Sequence, residues 1–209
     1  MLRIGQAFWQ RVQAMRTAEF SRKTSETDIL VRLCLDGTGH RAIETGIGFF
    51  DHMLDHVARH GLFDLQVAAR GDLHVDHHHT VEDVAICMGE AFREALGDRS
   101  GIRRYGFAVV PMDEALAQVA VDFSGRPYVV VSNPLAHRRA GEFLLDLIPV
   151  FLHALADRGG MNIHATVLAA DNPHHAAEAL FKALGRALRE AVELDPRVKD
   201  VPSTKGILT

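Results

Sequence analysis

The chain has 209 residues, room for one large domain or two packed halves, with 47% hydrophobic and 24% charged residues, the balance of a globular protein that buries a core. A formal net charge of -4 without a run of Lys and Arg excludes a nucleic-acid footprint, and no apolar stretch reaches the ~18 residues of a membrane span. Cys34 and Cys87 have no motif spacing and read as two reduced, buried thiols of a cytoplasmic protein.

Residues 1–14 are weakly amphipathic, carry two arginines before residue 12 and lack a small-residue cleavage site, so they are read as a dispensable extension rather than a signal peptide. Residues 28–36, DILVRLCLD, place Ile29, Val31, Leu33 and Leu35 on one face of a half-buried strand, and DGTGH turns the chain. FFDHMLDHVARHG has helical apolar spacing and a glycine stop, LFDLQVAARGD alternates again, and a helix is expected from His78 to Leu96, ended by Gly97. Residues 112–132 then carry two short strands broken at Ser124-Gly125-Arg126-Pro127. Residues 143–160 form a helix interrupted or opened at Pro149, MNIHATVLA a strand, and residues 174–193 a long helix. Helix, strand, helix thus occurs twice, which predicts an internal duplication of about 90–100 residues, with pseudo-repeats at about 15–105 and 106–209 inside one unit spanning 15–209. The fold class expected is α+β, each half a mixed β-sheet covered on one face by helices.

Histidine is the unusual component: there are 13. Each second helix opens with the same pattern, His78-His79-x-x-Glu82 and His174-His175-x-x-Glu178. On a helix the second histidine points about 100° from the first and the glutamate about 40°, between the two. Neighbouring imidazoles therefore diverge, and each is expected to serve a different metal ion, with some partners supplied by a neighbouring subunit. A solvated histidine pair with a glutamate complementing the first-turn dipole is the plain alternative, which a repeated offset disfavours. Imidazole and carboxylate without thiolate suit Mn, Fe or Zn, and a six-coordinate site with open positions favours Mn or Fe over structural Zn. The spacing is not His-Glu-x-x-His, which excludes the usual metalloprotease motif.

His52 begins the helix of the first half and is a further candidate ligand, with His56 and His60 four and eight residues on. The corresponding position of the second half is Val150, and His153 lies one turn further. Anion-binding groups are available in Arg104 of GIRRYG, Arg126 of SGRPY, Lys182 on the face of Glu178, and Ser203, Thr204 and Lys205 of the tail. Together with a metal cluster they point to a small phosphorylated substrate.

The blocks GIGFFDHMLDH, GDLHVDHHHTVEDVA, GIRRYG, PMDEALA, DFSGRPY, NPHHAAEALFKALGRALR and PSTKG, in this order, resemble the signature blocks of imidazoleglycerol-phosphate dehydratases, over nearly the whole chain after the extension. The resemblance implies two similar α/β halves of the ribosomal protein S5 domain 2-like type, trimers assembled into a 24-subunit shell, and Mn²⁺ sites between subunits, two ions per active site. It implies metal ligation by His52, His78, His79, Glu82, His174, His175 and Glu178. Substrate contacts are implied for Glu26, His52, His56, His78, Arg104, Arg126, His174, Lys182, Ser203, Thr204 and Lys205, the cationic ones chiefly with its phosphate. Two departures matter: His56 stands where the family commonly has glutamine, and Val150 where many members have a metal-binding histidine, so that His153 or water is left to fill that position.

The reaction implied is removal of water from D-erythro-imidazole-glycerol phosphate to give imidazole-acetol phosphate in L-histidine biosynthesis. The proton to be lost sits on a carbon with no adjacent carbonyl, and metal-bound imidazolate would supply the missing stabilisation. A carboxylate must move the protons, and Glu26, Glu82 and Glu178 are the candidates. Two rivals are weighed: a metal-storage or metal-sensing shell, which leaves the anion-binding groups unexplained, and a phosphoester hydrolase, which would release inorganic phosphate.

Overall fold

The computed structural model describes residues 15–208; the N-terminal extension expected at 1–14 lies outside the described residues. Two four-stranded sheets with the same topology make up the two halves. The first is built from β1 (Thr17–Lys23), β2 (Thr27–Cys34), β3 (Arg41–Glu44) and β4 (Asp64–Gly71), in the order β1-β2-β4-β3. Its helices are α1 (Gly48–Gly61), which follows β3, and α2 (His78–Leu96), which follows β4. The second half repeats this with β5 (Tyr105–Met112), β6 (Ala115–Asp122), β7 (Tyr128–Ser132) and β10 (Asn162–Ala169), in the order β5-β6-β10-β7. Its helices are α3 (Leu147–Gly159) and α4 (Pro173–Val192), and between β7 and α3 it adds a small hairpin, β8 (Arg139–Ala140) and β9 (Phe143–Leu144). In each sheet the two outer pairings match: β1 and β5 run antiparallel to β2 and β6, while β3 and β7 run parallel to β4 and β10.

The alternation in the sequence has its expected consequence: Ile29, Val31, Leu33 and Leu35 are all buried on the helix side of the first sheet. Gly97 ends α2 with a positive φ of 56°, and Pro149 sits in the first turn of α3, where its missing N–H costs nothing, so it opens that helix instead of interrupting it. Strands β1, β3 and β5 and the β8–β9 hairpin lack a readable apolar alternation and were not expected; Phe143 and Leu144, expected in a helix, form β9, and the helix starts at Leu147. Strand β5 inverts the usual code, because its inward positions hold small residues. A Cβ on Gly106 would come within 1.9 Å of the Ala187 carbonyl oxygen of α4, so the strand reaches the helix only with glycine there.

The helices lie between the sheets and exchange partners across the halves. Helix α1 of the first half packs on α4 of the second, and α3 of the second packs on α2 of the first. Both crossings are close enough to need glycine. At Gly185 of α4 an added Cβ would meet the Val57 carbonyl at 2.8 Å, and at Gly89 of α2 it would meet the Leu155 carbonyl at 2.7 Å. One continuous hydrophobic core therefore runs through both halves. This crossed packing sets the functional chemistry, since it carries side chains of one half onto the motif of the other.

Candidate active site

Asn172 caps α4 by accepting a hydrogen bond from the His174 backbone N–H at 2.8 Å, with Pro173 opening the helix. One turn in, Glu178 points at α1. Its Oε2 lies 3.3 Å from His174 Nε2 and 3.7 Å from His52 Nε2, and its Oε1 lies 3.3 Å from His56 Nε2 and 2.6 Å from Lys182 Nζ. His52 and His56, four residues apart on α1, bring their Nε2 atoms to 3.2 Å. Nitrogen and oxygen donors of His52, His56 and Glu178 all fall within 4.8 Å of one another, the spacing of a shared cation.

The protonation states suit that use. Burial pushes the His56 pKa down to about 4, with the Glu178 charge opposing it, so the imidazole is a neutral lone-pair donor at neutral pH. For Glu178, burial acts to raise the pKa, but the Lys182 ammonium and the His56 and His52 rings outweigh it, and the carboxyl stays ionised. The neutral His56 imidazole beside an ionised carboxylate, with no sulfur in the group, suits a hard-to-borderline divalent cation.

The first motif makes a different, more open cluster. His79 Nδ1 lies 3.0 Å from Asp72 Oδ2 and 3.8 Å from Glu26 Oε2, and its pKa is raised by the hydrogen bond to Asp72. His78 is exposed, its ring 6.0 Å from that of His79 and nearly perpendicular to it, which is the splay that helical geometry demands. Glu82 has no hydrogen-bond or ion-pair partner among the described residues. Helix α3, the counterpart of α1, brings Leu147 to the cleft beside His78. Neither Val150 nor the exposed His153 joins a ligand group among the described residues.

His175 repeats the behaviour of His79, with Nδ1 2.8 Å from Glu114 Oε2. That contact raises the His175 pKa and holds the Glu114 carboxyl down to about 2. Glu114 and Asp72 were not singled out in the sequence; the signal available was only an acidic residue at a strand end, Glu114 just before β6 and Asp72 just after β4. The two motifs do not bond to each other within one chain. Between them runs a chain of rings, His77 stacked on Phe143, Phe143 tilted against Phe49, and Phe49 edge-on to His174. These rings and the β8–β9 tip line a cleft of about 600 Å³ that includes His52, His77 and His174.

The anion-binding candidates divide. Lys182 sits at the metal end, where it is bound to Glu178. Arg104 sits at the opposite end of β5, with φ 70°, its guanidinium clamped on Asp122 at 2.7 and 3.1 Å and on the Pro202 carbonyl at 2.9 Å. That clamp fixes the tail bearing Ser203, Thr204 and Lys205. Arg126 lies at the same end, in the turn after β6. The eight residues of β5 separate this end from Met112, which touches Lys182, by roughly 26 Å at ~3.3 Å per residue. No glycerol phosphate spans that distance.

Comparison with known proteins shows the family. The sequence model of imidazoleglycerol-phosphate dehydratase matches residues 45–188. The dehydratase of Moorella thermoacetica is 55% identical over 194 residues, covering 93% of this chain and 99% of that protein. That of Thermoanaerobacter pseudethanolicus is 56% identical, over 93% of this chain and all of its own length. Crystal structures of the Pyrococcus furiosus and Staphylococcus aureus enzymes superpose with TM-scores of 0.79 and 0.77 at 38% and 33% identity, over 90% and 86% of this chain and 100% and 99% of theirs.

Proposed function

The chain belongs to the imidazoleglycerol-phosphate dehydratases, hydro-lyases that dehydrate imidazoleglycerol phosphate in histidine biosynthesis, and from that membership we propose how its own residues carry the reaction. Membership disposes of the storage and phosphoester-hydrolase rivals. Two Mn²⁺ ions are the cofactor in this reading, and the donor set fits them. His52, His56, His174 and Glu178 would hold one ion. His78, His79 and Glu82, with His175 from another copy, would hold the other. The observation that carries the reading is the convergence of three imidazoles on the ionised, Lys182-supported carboxylate of Glu178. When bound, such ions act as Lewis acids on the substrate's imidazole ring.

Glu26 is the proton carrier. Its side chain is about half exposed and free of ion pairs closer than the 3.8 Å approach to His79, whereas Glu178 is buried and engaged four ways. A carboxylate that must take a proton from carbon needs this freedom. Arg104, Arg126, Ser203, Thr204 and Lys205 hold the substrate phosphate in a site whose metal end comes from a neighbouring copy, because one chain places the two ends too far apart. The outer face of the second sheet supports association: Tyr105, Phe107, Val109, Tyr128, Val130 and Leu168 lie exposed on it. A 24-subunit shell built from trimers is the assembly we infer, in the cytoplasm, with residues 15–209 as one catalytic unit of two halves. No helix among the described residues is long and apolar enough to cross a membrane.

Metal-stripped protein assayed for imidazole-acetol phosphate, with and without added Mn²⁺, tests the reading. Product is expected only after Mn²⁺ addition; equal turnover without metal sinks it.

A further inference from the structure

The second histidine of each motif is held in the same way. His79 and His175 both turn Nδ1 to a carboxylate, Asp72 at 3.0 Å and Glu114 at 2.8 Å, which leaves Nε2 on the far side of the ring from that carboxylate. The two carboxylates do not occupy matching places in the two halves. Glu114 directly precedes β6 in the β5–β6 turn, and the residue that directly precedes β2 in the matching β1–β2 turn is Glu26. Glu26 Oε2 does approach the same His79 Nδ1, but stops at 3.8 Å, beyond hydrogen-bond reach. Asp72, just past the end of β4, has taken that position.

Only one of the two carboxylates has a second anchor. Glu114 Oε1 accepts from the Asn172 backbone N–H at 2.9 Å, tying the hairpin to the start of α4. The other oxygen of Asp72 is buried and has no protein partner, so this side chain is placed for the histidine and not for a wider network.

We propose that Asp72 and Glu114 are positioning residues that fix the Nδ1–H tautomer of His79 and His175, making Nε2 the metal-ligating atom of each, and that Asp72 thereby leaves the Glu26 carboxylate unengaged. A ring nitrogen that donates to a carboxylate leaves the other nitrogen as the only lone pair, which sets both the tautomer and the direction of ligation. In the second half the turn glutamate is spent on orientation. In the first half a separate aspartate does that task, and the turn glutamate is left to move protons.

The inference rests on the metal reading above, and titration of the assembled protein with Mn²⁺, followed by the electron paramagnetic resonance signal of the free ion, separates the two. Asp72→Ala and Glu114→Ala should each weaken Mn²⁺ binding by about 10–100-fold, with Asp72→Asn and Glu114→Gln, which still accept from Nδ1, losing less. Alanine variants that assemble and bind Mn²⁺ as tightly as the wild type overturn the inference while leaving the metal reading intact. Wild-type protein that takes up no Mn²⁺ overturns both. Since Glu114→Ala also removes the acceptor of the Asn172 N–H and can weaken folding, a crystal structure of the Mn²⁺-loaded wild type decides independently. Ligation of either ring through Nε2 with the carboxylate contact kept supports it; ligation through Nδ1 overturns it.

Discussion

The two His-His-x-x-Glu motifs are nearly identical as sequence and unlike as sites. At the second, α1 delivers His52 and His56 to His174 and Glu178, and Lys182 completes a closed, charge-balanced group. At the first, α3 occupies the matching position but offers Leu147, Val150 and an outward His153, so His78, His79 and Glu82 stay open. Also, the residue four past Glu82 is Ile86 where the second motif has Lys182. A repeated motif thus specifies a repeated direction of side chains, not a repeated site; the helix that packs across it decides whether the donors close into one group or stay open.

The largest effect should come from breaking the closed cluster. Glu178→Gln removes the anionic donor and leaves Lys182 without its partner, so turnover should fall by at least about 10³-fold with loss of Mn²⁺ from that cluster, read by metal analysis and kinetics. Glu82→Gln, at the open cluster, should retain the fold and every protein contact while losing its own metal. If both substitutions leave metal content unchanged, neither glutamate is a ligand. Glu26→Gln sharpens the contrast between ligand and proton carrier: a 10²–10⁴-fold drop in kcat at full Mn²⁺ content is expected, and near-normal turnover would remove it from the mechanism.

The closed cluster also has a pH signature in metal-free protein. His56 titrates near 6.5 when unfolded and near 4 when folded, so unfolded chains bind more protons between these values. Its contribution is therefore fully present above pH 6.5 and lost as pH falls through 4, on the order of 3 kcal/mol. Denaturation at stepped pH should show this slope in wild type and a shallower one in His56→Gln. An equal slope in the variant would mean that His56 is solvated after all.

Smaller effects should follow at the two helix crossings. Gly185→Ala overpacks α1 against α4 and Gly89→Ala overpacks α2 against α3, each costing about 1–3 kcal/mol in chemical denaturation. The first should disturb Mn²⁺ binding at the closed cluster and the second should not, and equal disturbance would show that the crossings are not specific to their sites. The smallest change is a gain. Val150→His offers the open cluster a nitrogen from α3 and should tighten its metal by about tenfold or less; no change in affinity would mean that another subunit already fills the position.

Local pattern alone determined much of this protein. Apolar alternation identified β2 and β4, helical spacing gave α2, with Gly97 at its end, and α4, and the repeated offset placed two fans of donors at helix starts. Such features depend on neighbours within a few residues, which a sequence displays directly. Strand β5 stayed hidden because its partner helix demands small residues at Gly106 and Ala108 and leaves Tyr105 and Phe107 facing outward, a constraint set by a distant element. The tertiary structure alone decided that α1 packs on α4, which made His56 a neighbour of Glu178. It also decided that Asp72 holds His79 and Glu114 holds His175, and that Arg104 and the tail lie a strand's length from Lys182. Each of these depends on which surfaces pack together, and that choice is made by one core shared between both halves and by no single stretch of the chain.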